Sequence, residues 1–150
     1  MLAVDTILAI AHHLLMFALL AVLVMELTLV RPGIDAAGLA RIGGLDLSYG
    51  AVAGLILAVG FARVFLGLKD PEYYFANVFF WAKIAAFIVV GLLSVPPTRR
   101  ILSWRSQARA NPHYSPPIGE INSVRRYMHL EAMVFVLIPV FAALMARYSG

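Results

Sequence analysis

Residues 6–25 read TILAIAHHLLMFALLAVLVM. No Asp, Glu, Lys or Arg interrupts the run, and only Thr6, His12 and His13 are polar. A helix needs about 20 mostly apolar residues to cross a bilayer. A barrel strand would instead alternate polar and apolar positions over about 10 residues, and this run does not alternate. It therefore reads as a transmembrane helix. The first cation is Arg31, and no small-x-small cleavage site follows, so the helix reads as retained rather than as a cleaved leader.

Three further runs repeat the pattern. Residues 47–68 are broken only by Arg63, residues 75–95 only by Lys83, and residues 128–146 carry His129 and Glu131 near their start. The chain of 150 residues is 62% apolar and 13% charged, against about 45–50% and about 25% in soluble domains. The fold class expected is all-α integral membrane, a four-transmembrane-helix up-down bundle forming one domain over residues 1–150. Its helices are expected at about 4–30, 45–68, 75–95 and 125–147. Intrinsic disorder and soluble Rossmann or barrel architectures are excluded. With no cysteine, disulfides and thiolate-held clusters are excluded too. No phosphate-binding loop, dinucleotide fingerprint, HExxH or nucleophile elbow is present. The net charge of +4 reads as orientation charge beside a lipid bilayer, with no nucleic-acid partner.

Pro32 and Gly33 stop the first helix, and Asp70-Pro71 marks a tight link over residues 69–74. Residues 96–127 form a long third loop holding Arg99, Arg100, Arg105, Arg109, Arg125 and Arg126. Ile101, Trp104 and Ala108 share one helical face there, with Arg105 and Arg109 displaced from it. That spacing suits an interfacial amphipathic helix; a solvated loop is the alternative. The excess of Arg places this loop and the first loop in the cytoplasm and both termini outside. The localisation expected is a multi-pass protein of a bacterial inner membrane.

Ionisable groups inside spanning helices are expensive and so carry the functional reading. At about 1.5 Å per residue, His12, Arg63 and Lys83 lie roughly 8–12 Å below the outer surface. No acid shares that layer apart from Asp5 near the helix terminus. Such a basic layer invites an anionic partner. Asp5, His12, Leu19 and Glu26 recur every seven residues and form one seam. His13 points about 100° away, so His12 is the better interior residue and the candidate metal ligand. His12, His13, Arg63 and Lys83 are the candidate cofactor-binding set, with hydrogen bonding between helices and snorkelling to the interface as the structural alternatives. Nearer the other face, Glu26, Glu131 and Arg126, with Arg125 beside them, form a candidate proton-carrying or structural cluster. Tyr73, Tyr74, Phe75, Phe79, Phe80 and Trp81 suit an aromatic belt, with the wall of a planar-ligand pocket as the alternative. Gly50, Gly54, Gly60 and Gly67 along the second helix permit close packing within a chain or in a homodimer.

Several runs resemble an uncharacterised family of small bacterial inner-membrane proteins. They are Ala40-Arg41-Ile42 with Leu45-Asp46-Leu47-Ser48-Tyr49-Gly50, Ala76-Asn77 with Phe80-Trp81-Ala82-Lys83, and Gly91-Leu92-Leu93-Ser94 with Pro96-Pro97-Thr98. That resemblance brings no activity. A more distant one is to the HemJ-type protoporphyrinogen oxidases, through His12 or His13 in the first helix and Lys83 in a later one. Trp81-Ala82 stands here where that family has a His before the Lys. The second resemblance implies a b-type haem or tetrapyrrole pocket, with His12 as axial ligand and Lys83 or Arg63 meeting a propionate or a second axial site. Three functions follow as expectations: a haem-binding redox protein, a non-enzymatic binding or assembly subunit, and a small transporter or proton pathway through Glu26 and Glu131.

Overall fold

The computed structural model describes residues 2–147. The described chain folds as α1 (Leu2–Leu29), α2 (Ala36–Leu66), α3 (Pro71–Phe75), α4 (Val78–Ala110), α5 (Ile118–Phe135) and α6 (Leu137–Arg147). Four spans are long and apolar enough to cross a membrane: α1, α2, α4 and the α5–α6 rod Ile118–Arg147. The expected all-α four-helix bundle is what the chain forms.

Local chemistry sets the helix ends. Gly33 takes φ +76°, a conformation open to glycine without steric cost, and turns the chain after α1. Asp35 caps α2 by accepting from the Gly38 N–H at 2.8 Å. Pro71 occupies the first turn of α3, where its missing N–H is harmless. Asn77 caps α4 by accepting from the Phe79 N–H at 3.0 Å. Its amide also donates to the Met145 carbonyl at 3.2 Å, so the start of α4 is tied to the end of α6. The fourth span breaks at Val136. Pro139 lacks the N–H that would bond Phe135, and its ring crowds that carbonyl.

The helices outrun the bilayer. At about 1.5 Å per residue α1, α2 and α4 measure roughly 42, 46 and 50 Å, against a hydrocarbon core of about 30 Å. The excess gathers at one end, which carries Arg99, Arg100, Arg109 and Arg126 on its surface. Here the structure departs from the sequence expectation. Residues 96–127 are not one long loop: α4 runs through Pro96 and Pro97 to Ala110, and α5 starts at Ile118. Ile101, Trp104 and Ala108 do not lie on a membrane surface. They are buried together with Ile121, Val124 and Met128 of α5 in the bundle core. The physical reason is tertiary. An interior proline costs about 3 kcal/mol, and burying each large apolar side chain returns about 1.5–3 kcal/mol. Trp104 adds a hydrogen bond from Nε1 to Glu120 Oε2 at 2.7 Å.

The middle of the bundle has the opposite surface. Ile10, Leu14 and Phe17 of α1, Leu55 and Phe61 of α2, Ile88 and Leu92 of α4, and Met133 and Val140 of the last span all face outward. This apolar belt is what lipid contact demands. Gly50 and Gly54 also face outward, with nothing near a Cβ added there, whereas a Cβ at Gly60 would stand 3.4 Å from the His12 ring. Gly50 and Gly54 thus serve the lipid face, while Gly60 lies against His12 of α1.

Candidate functional site

At the end opposite the Arg99–Arg109 surface, α1, α2 and α4 converge with the α2–α3 link and the tail of α6. Two adjoining cavities lie there. One, of about 140 Å³, is lined by His12, Arg63, Lys69, Tyr73 and Lys83 among others. The other, of about 50 Å³, has the apolar walls Met16, Ile56, Phe61 and Phe87. They share His12, Gly60, Val64, Phe80 and Lys83. The result is a basic mouth above an apolar slot.

The heptad seam explains why His12 points inward from α1. Its ring is half-buried, and Nδ1 has no hydrogen-bond partner. Arg63 is half-buried with Nε likewise unpartnered. The Lys83 ammonium stands 5.3 Å from the centroid of the Phe80 ring, within reach of a cation–π attraction. Lys69 sits 3.6 Å over the Tyr73 ring, and the Tyr73 hydroxyl donates to the Met145 carbonyl at 3.3 Å. Among the described residues lining the two cavities there is no carboxylate.

Three of the four candidate binding residues from sequence therefore meet. His13 does not: it is exposed, and its Nδ1 donates to the Ala9 carbonyl at 2.7 Å. Lys69 was not among the candidates, and Tyr73 entered only as a possible wall. They belong to a link and to what read as an aromatic belt, and only the return of α6 brings them over the cavity.

Pockets that enclose ligands of drug size and larger run to about 300–1,000 Å³, well above about 50 and 140 Å³. A single histidine, His12, lines the cavities.

The acidic candidates lie towards the arginine-rich end. Glu26 and Glu131 are both buried. Arg126 is exposed and does not join them. Its neighbour Arg125 turns inward but donates to the Leu27 and Val30 carbonyls at 3.2 and 2.7 Å, closing the C-terminus of α1 as a cation does well. Three residues absent from the sequence candidates, Tyr49, Asp46 and Thr98, complete the cluster. The Tyr49 hydroxyl donates to Glu131 Oε1, and Thr98 Oγ1 donates to Asp46 Oδ1 at 2.6 Å.

Fold and site together define a small multi-pass membrane protein with charged groups set inside a four-helix bundle. Residues 4–150 match the family described as Predicted membrane protein (DUF2214), and the chain belongs to that family. No curated protein and no solved structure matches the chain.

Proposed function

We propose that this is a bacterial inner-membrane protein that binds the acidic group of an amphiphile at its His12 end. Its role on this reading is binding or assembly rather than catalysis. The carrying observation is the pair of buried, unpartnered nitrogens, Arg63 Nε and His12 Nδ1, beside an acid-free basic cavity that opens into an apolar slot. A phosphate or carboxylate between Arg63, Lys69 and Lys83 would offset their charge, which inside a membrane is costly. The slot takes the start of the hydrocarbon tail. The arginine-rich end faces the cytoplasm by the charge rule, which puts the binding mouth on the opposite face.

The test is native mass spectrometry of protein released from nanodiscs that contain an acidic phospholipid and a long-chain carboxylate. Wild type is expected to retain one acidic amphiphile. Lys83→Met should lose it with the fold intact, because Met keeps a similar length and an apolar stem. Arg63→Leu should lose less, because Arg63 lies nearer the headgroups. Equal retention in wild type and Lys83→Met refutes the proposal and leaves Lys83 as an interfacial anchor. An absorption spectrum after haem supplementation separates the redox alternative: a Soret band abolished by His12→Ala would establish a haem site instead.

A further inference from the structure

Where the bundle passes into its arginine-rich end, four helices bring oxygen-bearing side chains together. Glu26 of α1 is 3% exposed, and its Oε1 has no hydrogen-bond partner. Glu131 of α5, 2% exposed, is held by the Tyr49 hydroxyl of α2. Asp46 of α2 is held by Thr98 of α4. Asp46 and Glu131 both lie close enough to Glu26 to interact with it electrostatically.

Among the described residues no salt bridge joins a nearby arginine to these acids. Arg125 of α5 is bonded to the α1 carbonyls, Arg126 is exposed, and Arg105 of α4 packs against Gly43. The ion pair at this end joins Arg100 to Glu120 at 3.1 Å and involves neither the buried Glu26 and Glu131 nor the half-buried Asp46. Carboxylates withdrawn from water and set near one another repel, and a charge left unpaired there is strongly unfavourable. A metal ion does not resolve this, since among the described residues no three such groups are placed to hold one. A proton does, because it binds a single carboxyl oxygen and needs no coordination shell.

We propose that Glu26 is a proton-binding site, with Glu131–Tyr49 and Asp46–Thr98 as fixed neighbours whose charge governs it. Leu19 and Leu23, each 1% exposed, fill the α1 seam between His12 and Glu26. These leucines separate the site from the basic cavity, and on this proposal its protons exchange with the arginine-rich face. It is a separate site from the amphiphile mouth and stands whether or not that mouth binds a lipid.

The test is infrared difference spectroscopy of the full chain in nanodiscs, stepping pH in H₂O and D₂O. The expected result is a protonated-carboxyl C=O band that titrates reversibly and shifts in D₂O. Glu26→Gln should remove the intensity of one carboxyl, and Glu26→Asp should keep that intensity at a shifted frequency. Tyr49→Phe should move the titration of the remaining band, because it releases Glu131. A band absent from wild type, or unchanged in Glu26→Gln, overturns the proposal. If Glu26→Gln does not fold, Glu26→Asp decides: an unshifted band shows that the titrating group is elsewhere.

Discussion

Trp104→Ala tests the feature that most separates this structure from a flat reading of its sequence. Trp104 is 0% exposed, within the core where Ile101 of α4 and Ile121 and Val124 of α5 are also buried. Truncating a buried aromatic to Ala costs about 3–5 kcal/mol, through lost transfer energy and the cavity left behind. Trp104→Phe isolates the polar part. It keeps most of the bulk and removes the 2.7 Å donor to Glu120. A hydrogen bond to a charged group contributes about 1.5–3 kcal/mol. The lower end of that range applies, because Glu120 is partly exposed and keeps Arg100 as a partner. If residues 101–109 instead lay on a membrane surface, either change would fall within about 0.5 kcal/mol, as surface substitutions do. The assay is unfolding in mixed micelles titrated with denaturing detergent and followed by circular dichroism. Acrylamide quenching of Trp104 in a Trp81→Phe background gives a second readout. A Trp104→Ala protein as stable as wild type, or a Trp104 freely quenched from water, would refute the continuous α4 and its packing.

Three further outcomes are expected. Lys83→Met should weaken binding of an acidic amphiphile about 10- to 150-fold, the equivalent of losing one charged hydrogen bond of about 1.5–3 kcal/mol, as measured by titration in nanodiscs; an unchanged affinity excludes Lys83 from the site. Gly60→Leu should push the His12 ring off α2 and close the apolar slot, because even a Cβ there stands 3.4 Å from His12 Cε1; amphiphile occupancy by native mass spectrometry should fall while helix content holds. A cysteine at position 109 should label from the cytoplasmic side alone, and labelling from outside would reverse the orientation drawn from the arginines.

The composition and four runs of apolar residues were enough to define the class of this protein. In lipid every backbone polar group must be satisfied within its own segment, so a charge-free run such as residues 6–25 has a single solution. The inward aim of His12 rather than His13 was also legible, because the seven-residue seam from Asp5 to Glu26 is a property of one helix. The reach of α4 was not. Pro96 and Pro97 are locally helix-breaking, and only the burial of Ile101 and Trp104 against α5 outweighs them. That one difference hid much else. With α2 started near residue 45, Asp46 and Tyr49 read as helix-end residues, whereas α2 begins at Ala36 and carries both inside the bundle. Arg125 and Arg126 lie about 100° apart on a helix; Arg126 is exposed and α5 turns Arg125 onto the carbonyls at the end of α1 rather than onto the acids. The basic mouth needed three separate pieces of chain, since Lys69 and Tyr73 meet Arg63 and Lys83 only when the tail of α6 folds back beside α4. Periodicity within a helix is a local property that sequence carries by itself; which helix faces which, and where a helix stops, depends on burial between segments distant in the chain, and tertiary structure alone decided those.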